Sequence, residues 1–218
     1  MTTVLGRTQG TEADLWQART MTSTCLVIPP PTIDAGADVL AKAAAALRGG
    51  QTDEAGRLVR SIDESAYRAF WNAGATVWTE RHDKTAHVAG DAPKHPRGIA
   101  AATRKAVADR DGWRCRYCGI RLLSKEFVLG LNDKLGEVFP WGPSEASRHS
   151  AGVVLLYTPD HVEPHWNGGT NEPENLVAAC GTCNYMKWSC TLNELGLSDP
   201  RLRDPVVDGW NGLVGALA

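Results

Sequence analysis

The sequence contains no run of about 18 apolar residues, so no transmembrane helix is expected. Its first residues show no basic start followed by an apolar block, so no secretory signal is expected and a cytoplasmic location is the default. The segment CLVIPPPT is too short to span a bilayer and reads as an extended stretch ending in prolines. Internal repeats are absent. Net charge is nearly absent too: −2 over 218 residues gives no global sign of a nucleic-acid partner. The apolar fraction of 43% and charged fraction of 22% are those of an ordinary globular chain, long enough for one sizeable domain or two small ones.

The distribution of charge says more than its sum. Residues 94–125 hold nine Lys and Arg against two Asp and Glu, while the stretches on either side are acidic. Arg104, Lys105, Arg110, Arg114 and Arg116 lie in this basic segment. Such a run is either a solvated helix face or a stripe that binds the phosphate backbone.

Organisation follows from periodicity and punctuation. Asp34 can cap a helix whose apolar face holds Val39, Leu40, Ala43, Ala44 and Leu47, with Gly49 and Gly50 as its stop. A second helix is expected over 53–74, with Ala55, Leu58, Val59, Ile62, Ala66, Ala69, Phe70 and Ala73 at helical spacing and Gly74 at its end. Residues 1–93 therefore read as a mostly helical accessory region, ending in a polar connector with His82, His87 and nearby His95 as solvated side chains. A helix resumes from Gly98 to Asp111. The stretch from Arg121 to Gly152 reads as turns and loops, and VVLLYTP as a buried strand. The resulting class is α+β, with a unit over 94–190 interrupted at about 121–152 and a C-terminal extension over 191–218.

Six cysteines in a cytoplasmic chain are not expected to form disulfides. Cys115 and Cys118 form one CxxC pair, and Cys180 and Cys183 another. Two such knuckles supply four thiolates to one tetrahedral ion, so structural Zn²⁺ is the expected occupant. A redox reading is weaker, because neither pair follows the strand of a thioredoxin-like βαβ unit. Cys25 and Cys190 are left over as thiols without an assigned role. With all four positions filled by cysteine, the zinc has no open position for chemistry. The polar residues around TPDHVEPHWNGG need a separate explanation.

The stretches RKAVADRDGWRCRYCG and PDHVEPHWNGGTNEPENLVAACGTCNYMK resemble the HNH endonuclease family. The resemblance covers about residues 98–120 and 153–188, less than a third of the chain. It implies a ββα-metal unit in which a divalent ion and a histidine hydrolyse a phosphodiester. By that resemblance Asp160 is a carboxylate ligand of the catalytic ion, His161 the general base, Asn175 the central asparagine that orients the histidine, and Asn184 the second ligand. Lys187, one turn after Asn184, would share its face and meet phosphate, and His165 is a further candidate for phosphate contact. Residues 1–93 and 121–152 have no counterpart in the family pattern.

The chemistry asks for the same residue types. A neutral imidazole takes a proton near neutral pH. A hard ion such as Mg²⁺ takes carboxylate and amide oxygens and keeps several waters. Neighbours on a strand point to opposite sides, so Asp160 and His161 can act together only at a twist or an edge. The expectation is a metal-dependent DNA endonuclease of restriction or defence type. A non-catalytic zinc-bound nucleic-acid module and an RNA-directed nuclease or toxin are the alternatives. A double-strand break would need two copies, as in a two-fold homodimer, and the helix over 53–74 offers either a dimer surface or a core face.

Overall fold

Helix α1 (Pro31–Arg48) opens on a proline, whose fixed φ and missing N–H suit the first helical position. The expected cap, Asp34, therefore lies inside the first turn. Its carboxylate accepts hydrogen bonds from the backbone N–H (2.7 Å) and the Nε (3.1 Å) of Arg121. Arg121 also donates to Asp38, one turn further on, and its guanidinium stands 5.1 Å from the centre of the Trp210 ring. One arginine thus ties α1, the stretch after the first cysteine pair and the C-terminal segment together. The computed structural model describes residues 24–82 and 98–218. The boundary expected at residue 93, His87, His95 and most of the stretch before the prolines lie outside them.

The single helix expected over 53–74 is two, α2 (Thr52–Arg60) and α3 (Glu64–His82). Asp63 starts the second: its Oδ1 accepts from the backbone N–H of Ser65 (3.0 Å) and Ala66 (3.3 Å), the bonds of a helix cap. Ile62 in the break is buried like Val59 and Phe70, so the apolar period runs through the interruption and conceals it. Ala55, Val59, Ile62 and Phe70 all face the core, which settles the face in favour of the interior rather than a dimer surface.

Gly74 does not end its helix. It sits within α3, where a Cβ would lie 2.6 Å from Thr182 Cγ2 and 3.1 Å from Met186 Cγ. Its missing side chain lets α3 approach helix α7 (Gly181–Lys187), which follows the second cysteine pair.

Helix α4 (Ala101–Arg110) carries the basic segment into the first pair. The stretch expected as loops contains helix α5 (Lys125–Leu135), capped by Ser124, whose Oγ accepts from the Phe127 N–H at 3.1 Å. Of the run expected as a strand, Val153–Leu155 belong instead to helix α6 (Ser150–Leu155), every residue of which is buried, while Thr158 and Pro159 do open a strand. Burial on all sides erases the periodicity that separates helix from strand. His149 and Glu64 decide the outcome: His149 Nδ1 accepts from the Ala151 N–H, and the Glu64 carboxylate accepts from both the N–H and the hydroxyl of Ser150.

Only then comes β1 (Thr158–His161), paired antiparallel with β2 (Leu176–Ala179), the two-stranded sheet leading directly into α7. Helix α8 (Leu192–Leu195) opens with a capping box between Thr191 and Glu194. The chain then returns to the first pair, where Trp210 donates to the Leu122 carbonyl and the Ser124 N–H donates to Gly212. One buried cluster runs from Ile33 through Phe127 and Val154 to Met186, so the N-terminal helices, the stretch over 121–152 and the sheet share a core.

The Gly74 contact gives a test. Gly74→Val must push α3 off α7, at about 1–3 kcal/mol for overpacking. The melting temperature should fall by roughly 2–4 °C per kcal/mol for a chain of this size. Thermal denaturation that leaves the midpoint unchanged contradicts the close approach.

Candidate active site and metal centre

The two cysteine pairs meet. Cys115 and Cys118 form a tight knuckle closed by the Gly119 N–H donating to the Cys115 carbonyl, and Cys180 and Cys183 sit at the start of α7. All four Sγ atoms lie within 4.8 Å of one another, and Cys118 and Cys180 are 3.8 Å apart. A tetrahedron with zinc–sulfur bonds of about 2.3 Å has edges of about 3.8 Å. The donor set and its dimensions therefore fit zinc. A fifth thiol adjoins the cluster: Cys25 Sγ is 4.0 Å from Cys183 Sγ, a neighbourhood that sequence spacing did not disclose.

On the sheet, Asp160 stands opposite Val177 and His161 opposite Leu176. Alternation turns Asp160 inward, 4% exposed, and leaves His161 half-buried at the strand end. Both still line one cleft of about 380 Å³, together with His165, Trp166, Asn184 and Trp188. The strand edge thus solves the geometric problem of two adjacent residues serving one site.

The Asp160 carboxylate is used on two sides. Its Oδ2 accepts from the Tyr117 hydroxyl at 2.5 Å and faces the Lys187 ammonium at 3.3 Å. Its Oδ1 has no hydrogen-bond partner among the described residues, and the residue borders the cleft. Burial pushes the Asp160 carboxyl above its usual range, while Lys187 and Tyr117 pull it back. Burial and the Asp160 charge push the Tyr117 phenol well above its usual range, so it remains a donor. Tyr117 lies between the two cysteines of the first knuckle, so the thiol cluster fixes it. Sequence reasoning missed this residue.

Lys187 is not where the sequence placed it. It is 2% exposed, and its ammonium donates to the His161 carbonyl at 2.6 Å as well as facing Asp160. Asn184 shares the helix but faces the cleft, and its side chain makes no hydrogen bond among the described residues. An amide oxygen and the Asp160 Oδ1 therefore border one cleft without competing partners among the described residues, a donor set of the hard-oxygen kind.

Residues 153–189 match the family model of the HNH endonucleases. The chain carries an HNH endonuclease domain. The matched residues include Asp160, His161, Asn175, Asn184 and the second cysteine pair, but not the first. No curated protein and no solved structure matches the chain.

Within the HNH segment, His161 Nε2 lies 2.8 Å from Asn171 Oδ1. The Asn171 Nδ2 donates to the Gly98 carbonyl, so its oxygen is the acceptor and the imidazole carries its proton on Nε2. That leaves Nδ1 with the lone pair. Asn171 was not among the sequence candidates, since nothing in its spacing separates it from loop asparagines. Asn175 makes its hydrogen bonds elsewhere: its Oδ1 accepts from the Glu163 N–H, and its Nδ2 donates to the carbonyls of Glu163 and Thr170. It closes the loop and acts on His161 only through it. Gly169 is needed there, because a Cβ would meet the Glu163 carbonyl oxygen at 1.8 Å. The His165 ring centre is 6.1 Å from that of His161, on the wall of the same cleft.

The basic segment divides. Arg104 and Lys105 are exposed on α4, Lys105 paired with Asp109. Arg110, though exposed, half-buried Arg114 and buried Arg116 spend their guanidinium groups on bonds within the chain, so they do not form a free phosphate stripe. Arg110 grips Asp111 and the Leu176 and Pro173 carbonyls; Arg114 binds Gly119 and Asp208; Arg116, 7% exposed, donates to the Pro200 carbonyl. The carbonyls of a metal knuckle and a long C-terminal segment need donors, and the arginines supply them.

Two outcomes test this site. Cys118→Ser should lose the metal and unfold the HNH unit, since binding and folding free energies are joined at such clusters. Metal analysis and circular dichroism of the variant check it, and freshly purified parent protein without zinc contradicts the assignment. Lys187→Met should destabilise the protein by about 3–5 kcal/mol, because it strands a buried carboxylate. A lysine on a phosphate-facing surface would lower nucleic-acid affinity instead and leave denaturant unfolding unchanged.

Proposed function

We propose that the protein is a divalent-metal-dependent endonuclease that hydrolyses DNA phosphodiester bonds, with the sheet and α7 as a ββα-metal unit braced by structural Zn²⁺. The observation that supports this most strongly is the convergence on one cleft of a carboxylate oxygen and an amide that have no hydrogen-bond partner among the described residues, with an imidazole whose Nε2 is held by Asn171. In this reading His161 Nδ1 takes the proton from the attacking water, with Asn171 holding the ring. Asp160 Oδ1 and Asn184 hold the catalytic Mg²⁺ or a similar ion, which when bound neutralises charge on the phosphate and the leaving oxygen. His165 stands beside His161 to meet a phosphate oxygen. Asn175 keeps the loop closed, and Arg104 and Lys105 offer charge to the flanking backbone. A restriction-type or defence role is the setting we assign to this nuclease.

His161→Ala touches neither the thiol cluster nor the ligands of the ion. It should bind nucleic acid like the parent while hydrolysis falls by roughly 10²–10⁴. Asp160→Ala and Asn184→Ala should raise the Mg²⁺ requirement or abolish cutting. The assay follows supercoiled plasmid, linear duplex and RNA side by side, with Mg²⁺ or with chelator. Undiminished cleavage by His161→Ala removes the imidazole from the mechanism. Cleavage of RNA alone would reassign the substrate, and binding without cleavage under every condition would leave a zinc-bound binding module.

A further inference from the structure

A second concavity opens beside the cleft. It has a volume of about 190 Å³, and Trp71, Trp141, Arg148, Asn184, Tyr185 and Trp188 form most of its wall. Asn184 and Trp188 line both this groove and the catalytic cleft, so the two adjoin. The aromatic faces are organised. The Tyr185 ring centre is 5.1 Å from that of Trp71 and 6.0 Å from that of Trp188. The Arg148 guanidinium lies 4.7 Å from the centre of the Trp141 ring, held by its Nε and one terminal nitrogen donating to the Gly142 and Pro143 carbonyls. Its other terminal nitrogen has no hydrogen-bond partner among the described residues.

Trp188 is unusual in two respects. It is 53% exposed despite its size, and its φ of 46° is one that bulky side chains rarely adopt. Held at the end of α7, it forms the ridge between groove and cleft. Trp71 comes from α3, and Trp141 and Arg148 from the stretch over 121–152. These three lie outside the residues that match the HNH family model, so additions to the domain complete a groove whose remaining wall belongs to the matched segment.

We infer that this groove receives an unpaired nucleobase of the substrate, next to the phosphate held in the cleft, and that the preferred substrate is therefore single-stranded nucleic acid. The inference rests on the nuclease reading of the adjoining cleft. Each phosphate of a nucleic acid carries a base close by, so a phosphate at His161 brings a base to the neighbouring concavity. In a duplex, both faces of that base are covered by its neighbours in the stack. Only an unpaired base can offer a face to a tryptophan, and such stacking is tolerant of sequence because every base has a π-face. The planar cation on Trp141 suits the same ligand, stacking on a base or meeting the next phosphate.

The test uses the full-length His161→Ala protein, which should bind without cutting. Its affinities are measured for a single-stranded DNA oligonucleotide, the same strand in RNA, the blunt duplex and a single strand made abasic at its centre. A fluorescent base analogue in the first two reports stacking. We expect the single strand to bind more tightly than the duplex and the abasic strand, with the analogue quenched. Trp141 lies in the groove and not in the cleft, so adding Trp141→Ala should weaken single-strand binding roughly 5–100-fold, the range of one base stack, and leave duplex binding unchanged. Trp188 also borders the cleft, so Trp188→Ala should weaken single-strand binding more than duplex binding. Trp188→Phe should restore most of it, and zinc content with thermal melting checks that each variant is folded. Equal affinity for duplex and single strand, an unquenched analogue, or tryptophan variants that bind like the parent would overturn the proposal. Cleavage by wild-type protein is scored separately. A protein that cuts duplex regardless of Trp188 and Trp141 keeps the nuclease reading and loses the groove. One that cuts nothing but shows quenching and its loss keeps the groove as a base site and loses the nuclease.

Discussion

The four-thiol cluster is the constraint on which the site depends. It joins two knuckles far apart in sequence, Cys118 and Cys180 being separated by 62 positions. Closing so long a loop costs chain entropy, which coordination of one ion by the four thiolates would offset. The consequence for the cleft is direct. Tyr117 lies inside the first knuckle and reaches Asp160; Asn184 follows Cys183 and faces the cleft. Removing the cluster would release a donor to the acid and the placement of the amide at once.

From that anchor, one buried ammonium organises the rest. Lys187 faces the Asp160 carboxylate and holds the backbone carbonyl of His161, so acid and imidazole are placed by the same group. A charge pair this deeply buried contributes little net stability, since desolvation cancels much of the attraction. Its value is geometric: with Oδ2 occupied by Lys187 and Tyr117, Oδ1 is the oxygen left for the cleft. The loop beyond the strand is set in the same manner, Asn175 closing the backbone and Asn171 fixing the ring.

What could be read from the sequence was what short spacing encodes. The two CxxC pairs, the Asp-His pair, the glycine return and the asparagine after Cys183 are local patterns, and the structure brings them together around one cluster and one cleft. Partners fixed by tertiary packing were not legible. The charge run over 94–125 does not say which groups a side chain will meet, and Arg110, Arg114 and Arg116 donate to carbonyls of this chain, Arg110 while remaining exposed. Lys187 obeyed helical spacing but lay on the buried side of α7. Within VVLLYTP, Val153–Leu155 read as strand but end helix α6, because complete burial leaves no period, whereas the break before α3 leaves a signal in Asp63, a capping residue inside an unbroken apolar phase.

The central claim is that the cleft holds a divalent ion distinct from the one in the thiol cluster. Crystals of the protein soaked in Mn²⁺ and recorded across the zinc and manganese absorption edges test it most directly. The account predicts a zinc signal among Cys115, Cys118, Cys180 and Cys183. It also predicts a separate manganese signal bound by Asp160 Oδ1 and the Asn184 amide oxygen, with Tyr117 and Lys187 still on Oδ2. Manganese absent from the cleft, or bound there without Asp160 and Asn184, would contradict it.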